Sequence, residues 1–299
     1  MAEFIDRNYR DMQIKKIKYN RKSVFYQTSG DGACVLFLHG FGEDGTIWDE
    51  FAEKISGKFK LIIPDIPGSG KSEMLPSEIG PLQNVPGSQH LTDKVIQHPT
   101  IEDFAEVITA ILDEEAVKEC VLIGHSMGGY IALAFAEKYP EKLLALGLFH
   151  SSAFADDEQK IDARLKAIEF IRTNGAHAFL KTSIPNLFAD SYKQKNPGRI
   201  DALIEAGKNF SSEALIQYYY AMINRPDRIR VLETFPKPVL FIIGEEDTAI
   251  PLKNSLLQCH LPGISYVHIL PEVGHMGMIE NSNTPDLVSS FLNQTISTK

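Results

Sequence analysis

The stretch Val121-Leu122-Ile123-Gly124-His125-Ser126-Met127-Gly128-Gly129-Tyr130 decides how this chain is read. Cys120 to Ile123 has the apolar density of a short buried strand. Ile131 to Tyr139, with Ala132, Ala134 and Ala136 as good helix formers, reads as a helix. Between them lies Gly-x-Ser-x-Gly. A sharp strand-to-helix turn at Ser126 would lift its hydroxyl above the sheet edge. Gly124 and Gly128 carry no side chain, so the crowded turn can close. The helix start also aims unpaired backbone N–H groups at whatever Ser126 attacks. The plain alternative is a glycine-rich junction holding an idle serine, and the surroundings decide between the two.

Upstream, Ala33 to Leu38 is a nearly all-apolar strand, as expected where both faces of a parallel sheet are covered. It ends in His39-Gly40-Phe41-Gly42, and a helix follows over 46–55 with Trp48 and Phe51 inward. The N–H of Phe41 and that of Met127, just after Ser126, would make a two-donor oxyanion hole. His39 reads as a structural hydrogen-bonder. Residues 12–29 form a hairpin turning at Asn20 and Arg21, and Phe59 to Ile63 is a strand. Asp65-Ile66-Pro67-Gly68-Ser69-Gly70-Lys71-Ser72 imitates a phosphate loop, but its glycine spacing fails the Gly-x-x-x-x-Gly-Lys-Ser pattern. Asp65 reads as a brace for that loop. Residues 73–99, punctuated by Pro76, Pro81, Pro86 and Pro99, keep no helical or strand period and read either as a surface excursion or as a flap over the strand ends where substrate enters. Thr100 caps the helix that returns the chain to the Ser126 strand, with Asp103 completing the cap.

Downstream, Leu143 to Phe149 is a strand, and the chain then reads helical to about Glu233. Ile161, Leu165 and Ile168 recur at helical spacing and predict a buried face. Tyr218, Tyr219 and Tyr220 read as packing residues, with substrate contact as the alternative. Arg225, Arg228 and Arg230 are expected to face solvent. Pro238 to Ile243 restores the sheet and ends in Gly244-Glu245-Glu246-Asp247, with a short helix over 251–258. Ser265 to Leu270 is the last strand and leads to Gly274-His275, before a closing helix over 284–294.

Composition bounds the function. The 299 residues are 43% hydrophobic and 23% charged, which suits a soluble globular protein. A net charge of -9 argues against nucleic acid or an anionic membrane as the main partner. Cys34, Cys120 and Cys259 show neither metal nor disulfide spacing. The amino-terminal residues carry no apolar signal segment, and no apolar run reaches the roughly 18 residues of a spanning helix. A cytoplasmic location is the expectation, and the oligomeric state is left open.

Ser126 comes first, an acid follows a later strand, and His275 follows the last strand. That is the order of a serine, acid and histidine triad on such a sheet. Composition leaves the acid open among Glu245, Glu246 and Asp247. The chain resembles the α/β-hydrolase family, in particular its single-chain serine hydrolases with a helical cap. The likeness spans nearly all of 22–296. It rests on His39-Gly40-Phe41-Gly42, Asp65-x-x-Gly68-x-Gly70-x-Ser72, the Ser126 pentapeptide, Gly244-x-x-Asp247-x-x-x-Pro251 and Gly274-His275. The resemblance implies an α/β-hydrolase fold, a mostly parallel sheet flanked by helices, with core segments 1–150 and 236–299 and a helical cap over 151–235. It implies Ser126 as nucleophile, Asp247 as acid, His275 as base, and Phe41 and Met127 as backbone oxyanion donors. It implies no metal and no organic cofactor. The expected activity is hydrolysis of a small or medium, partly apolar carboxylic ester through an acyl-enzyme. The alternatives are a C–C bond hydrolase, a lactonase or an amidase on the same triad, and a non-catalytic binding protein on the same scaffold.

Overall fold

The computed structural model describes residues 12–55, 57–81 and 94–296. Among them, eight strands form one sheet: β1 (Gln13–Tyr19), β2 (Lys22–Ser29), β3 (Cys34–Leu38), β4 (Lys60–Pro64), β7 (Cys120–His125), β8 (Leu143–Phe149), β9 (Val239–Gly244) and β10 (Ser265–Leu270). A separate antiparallel ribbon pairs β5 (Glu78–Pro81) with β6 (Lys94–Gln97). The sheet order is β1-β2-β4-β3-β7-β8-β9-β10. β1 and β2 run antiparallel and every pairing from β4 to β10 is parallel. β3, β7 and β9 are buried at every residue, which is why they read as unbroken apolar runs. The β1–β2 hairpin turns through Asn20 and Arg21 at φ 47° and 66°, the left-handed pair that a tight two-residue turn needs.

The helices are α1 (Asp49–Ile55), α2 (Ile101–Glu114), α3 (Met127–Lys138), α4 (Glu158–Asn174), α5 (Ala176–Ser183), α6 (Asp190–Lys195), α7 (Pro197–Ala206), α8 (Ser212–Ile223), α9 (Ile229–Thr234), α10 (Leu252–Leu256), α11 (Gly277–Glu280) and α12 (Thr284–Ile296). α2 begins with the expected capping box. Thr100 accepts from the Asp103 N–H, and Asp103 accepts from the Thr100 N–H. The six helices α4 to α9 are inserted between β8 and β9, as the sequence indicates.

Three expectations need correction. The flap at 73–99 contains the β5–β6 ribbon, and its flanks lean on α8. Gln217 Nε2 donates to Leu75 O at 3.0 Å, and His98 stacks on Tyr220 with ring centres 4.4 Å apart. Residues 82–93 of the flap lie outside the described residues. In α4, Ile168 and Ile171 are buried but Leu165 is exposed, because another side of the helix lines a cavity instead of the core. Arg225 and Arg228 are buried, and only Arg230 faces solvent. Arg225 reaches Asp156, whereas Arg228 reaches Glu102 on α2 and Glu137 on α3. Charge alone signals exposure, and these acids stand too far off in sequence to signal otherwise.

Candidate active site

Ser126 occupies the step from β7 to α3 at φ 50° and ψ −115°, a conformation rarely held without surrounding support. The support is visible. Ser126 N–H donates to Phe149 O at 3.0 Å, and Ser126 O accepts from Gly129 N–H at 2.9 Å and from Ser151 Oγ at 2.7 Å. A Cβ on Gly124 would lie 2.2 Å from Gly128 O, and one on Gly128 would lie 2.6 Å from His39 O. Both glycines are therefore steric requirements of this turn. A Cβ on Gly40 would sit 3.2 Å from Ser126 Cβ, so the loop after β3 runs directly beside the serine. Met127 is the first residue of α3 with its side chain fully buried. What it can offer the site is its backbone.

The loops after β9 and β10 meet behind Ser126. His275 Nδ1 bonds Asp247 Oδ2 at 2.8 Å, while Glu245 and Glu246 are exposed. Asp247 is saturated. Oδ1 accepts from the N–H groups of Ala249 at 2.9 Å and Ile250 at 2.8 Å, and Oδ2 also meets His150 Nδ1 at 3.1 Å. Burial would raise the Asp247 pKa, but the His275 charge and the two histidine hydrogen bonds more than offset it, and the net shift is downward. Burial lowers the basicity of His275, yet the Asp247 carboxylate overcomes that and raises its pKa. His150 lacks that surplus, and burial pushes it down to about 4. At neutral pH it is a neutral donor that orients Asp247.

A second network stands beneath the first. Glu43 Oε2 accepts from Gly40 N–H at 2.6 Å and meets His125 Nδ1 at 2.9 Å. His125 Nε2 meets the backbone oxygen of His275 at 3.0 Å. One carboxylate and one imidazole thus join the loop after β3, the residue before Ser126 and the loop carrying His275. Burial would raise the Glu43 pKa, but His125 and the Gly40 N–H bring it below the usual range. Glu280 holds the same loop from behind, accepting from the N–H groups of Ala189, Gly274 and Met276. None of Glu43, His150 and Glu280 stands out in the sequence as a site residue. Each matters through partners that only the fold brings near.

His39 and Asp65 are structural, as expected. His39 Nε2 accepts from Ile66 N–H at 2.9 Å, which leaves Nδ1 to donate to Gly40 O at 2.8 Å. Asp65 accepts from the N–H groups of Gly45 at 3.0 Å and Lys71 at 2.9 Å. A Cβ on Gly70 would strike the Asp65 carboxylate at 2.3 Å, so the Gly-x-Gly after β4 seats an aspartate and leaves no space there for a phosphate.

Ser126, His275, Phe41 and Glu43 share one wall of a cavity of about 440 Å³. The facing wall comes from the inserted helices, chiefly Arg164, Phe179, Leu180, Tyr219 and Met222. The Phe41 and Tyr219 rings lie 4.4 Å apart, joining the two walls. Tyr219 thus faces the cavity, whereas Tyr218 is packed, its hydroxyl donating to Pro67 O at 2.9 Å. His150, Asp247 and His275 offer ligand atoms within 4.8 Å of one another, the spacing of a metal site. Both imidazole nitrogens in that group point at a single carboxylate oxygen, an arrangement of donors around an acceptor.

A sequence model of the alpha/beta hydrolase family matches residues 35–289. The chain belongs to the alpha/beta hydrolase family. Among related proteins, this α/β-hydrolase is 26% identical over 263 residues to the dihydrolipoyllysine-residue acetyltransferase component of the acetoin cleaving system of Pseudomonas putida. That match covers 86% of this chain but 62% of that protein, and the counterpart from Cupriavidus necator is covered to 66%. The chain thus spans under two thirds of these two relatives. It is 26% identical over 278 residues to the 2-hydroxymuconate semialdehyde hydrolase of Pseudomonas sp. strain CF600, covering 88% of each. Its fold matches that of a thermophilic esterase from Thermogutta terrifontis, solved with malate bound, at a TM-score of 0.82 and 24% identity, over 95% of this chain and 99% of that one.

Proposed function

We propose that this α/β-hydrolase cleaves a small or medium carboxylic ester through an acyl-enzyme, with Ser126, His275 and Asp247 as triad. The observation that carries the reading is the 2.8 Å bond from His275 Nδ1 to Asp247 Oδ2, made on the same cavity that Ser126 lines. With Nδ1 committed to Asp247, Nε2 is the nitrogen left for Ser126. It takes the Ser126 proton as Oγ attacks the ester carbonyl. The N–H groups of Phe41 and Met127 receive the oxyanion. His275 then hands its proton to the departing alcohol oxygen, and the C–O bond breaks. Water repeats the sequence and frees the acid. Helices α4 to α9 act as the cap, since they furnish the wall opposite Ser126. The cavity is lined largely by aromatic and aliphatic side chains, which suits a partly apolar small molecule.

A second reading is C–C bond hydrolysis on the same triad, favoured by the likeness to the 2-hydroxymuconate semialdehyde hydrolase. It differs in requiring a proton delivered to carbon. The test is steady-state hydrolysis of 4-nitrophenyl esters of two to eight carbons, beside a vinylogous 1,5-diketone. Ester turnover that falls by at least about 10⁴-fold in Ser126→Ala supports the ester reading. Cleavage of the diketone with no ester turnover overturns it in favour of the second.

A further inference from the structure

Helix α4 turns Lys160, Ala163, Arg164 and Ala167 toward the cavity at spacings of three and four. Two small residues thus leave space around two cations. Arg164 donates to Asp156 from Nε at 2.5 Å and from Nη2 at 3.3 Å, its Nη1 meets the Met222 sulfur at 3.2 Å, and its guanidinium lies 5.6 Å from the centre of the Tyr219 ring. Asp156 is shared: Arg225 Nη2 donates to it at 2.9 Å. The Asp156 side chain is fully buried and that of Arg225 nearly so. Among the described residues, two guanidinium groups share this one carboxylate, which leaves one positive charge of the cluster without a counter-ion. Arg164, with its side chain 17% exposed, carries that surplus into the cavity, where a partly desolvated charge gains from a partner. Arg164 has five N–H donors, and these contacts use three, one of them on a weak thioether acceptor. Lys160 Nζ, on the same face, reaches the Ala249 carbonyl at 3.2 Å, next to the Asp247 loop. Glu43, the acid in this cavity's wall, is already taken up by His125 and the Gly40 N–H.

We propose that Arg164 and Lys160 form an anion subsite, so that the preferred substrate is an ester carrying a free carboxylate a few bonds from the scissile carbonyl. This rests on the hydrolytic reading above and gives it a substrate class. The planar guanidinium fork matches a carboxylate in two parallel hydrogen bonds, and the Lys160 ammonium adds charge at the edge. The apolar remainder of the cavity takes the chain between the two ends. The overall charge of -9 works against anions at long range, so the preference has to arise locally.

The test compares kcat/KM for two pairs of esters. Mono-4-nitrophenyl adipate carries the carboxylate in the acyl part, and 4-acetoxybenzoate carries it in the leaving group. Each is measured against its methyl-capped, neutral counterpart. The wild type is expected to favour the free carboxylate by about tenfold or more in one pair. Arg164→Gln should lower that ratio by about 10 to 100-fold, mostly through KM, and Lys160→Gln by about threefold. Should Arg164→Gln fail to fold, as read by thermal melting, the ratio in Lys160→Gln decides the matter. In parallel, adipate monomethyl ester is titrated calorimetrically into Ser126→Ala protein, with and without Arg164→Gln. Binding that is lost with Arg164 supports the subsite even if no ester is turned over, which separates its failure from that of the hydrolytic reading. Ratios near one in the wild type, ratios kept in both variants, or no binding of the monoester would each overturn the proposal.

Discussion

At the residue scale, the proposed chemistry depends on one proton position. His275 must be unprotonated at Nε2 to act as base, and its pKa is raised above the ordinary 6.5 by Asp247 against the pull of burial. The base form is therefore scarce below that raised value and gains as pH climbs through it. The acid limb of kcat/KM should have its midpoint above 6.5, and a midpoint at or below that value would count against the assignment. Glu43 also raises His275, so Glu43→Gln should move this midpoint downward. The same change should cost about 10 to 100-fold in kcat, because the link from the Gly40 loop through His125 to the His275 loop is weakened. A variant that loses activity with an unmoved pH profile would leave Glu43 a purely structural role. Asp247 is singled out in the sequence by the resemblance to the family pattern Gly244-x-x-Asp247-x-x-x-Pro251, while Glu43 is not singled out at all. Its ring partner is His125, and a lone glutamate two residues past Phe41 looks like any loop acid.

At the element scale, what the sequence shows most clearly is the turn at Ser126, because its constraint is local. Gly124 and Gly128 touch each other across four residues, so the pattern and its cause lie in one stretch. Gly124→Ala should destabilise the fold by at least about 3 kcal/mol, since the added methyl meets backbone and has nowhere to move. Urea unfolding measures it, and a cost under about 1 kcal/mol would mean that the turn relaxes. Helix α4 departs from its sequence pattern for the opposite reason. A helical period in Ile161, Leu165 and Ile168 predicts one buried stripe, but α4 has two inward sides, one on apolar neighbours and one on a cavity. The second side carries Ala163, Ala167 and two cations, a pattern that hydrophobic periodicity does not register. The β5–β6 ribbon is hidden too, since Gly80 and Pro81 break any alternation in its first strand and each strand has four residues.

At the scale of the whole molecule, the sheet and the inserted helices are bound into one body. Arg228 on the insertion is paired with Glu102 and Glu137 on the core. Tyr218 Oη reaches Pro67 O after β4, and Leu187 O accepts from His275 N–H at 2.6 Å. The Arg228, Tyr218 and His275 ends of these ties are buried, so the insertion should not melt separately. Fluorescence of Trp48, the chain's one tryptophan and fully buried on the core side, should report the same urea midpoint as far-ultraviolet circular dichroism, which weighs the inserted helices heavily. Two separated transitions would contradict this. The order of elements, the place of the insertion in the chain and the parallel sheet are all legible in the sequence. The inter-element ties are not, because Arg225 and Arg228 look like ordinary surface charges until the fold brings their partners to them.

The central claim is that Ser126 is an activated nucleophile. Titration with a fluorophosphonate followed by peptide mapping tests it without knowledge of the natural substrate. The account predicts stoichiometric labelling on Ser126, abolished in Ser126→Ala and slowed by orders of magnitude in His275→Ala. Folded wild-type protein that takes up no label, or takes it up at another residue, would contradict it.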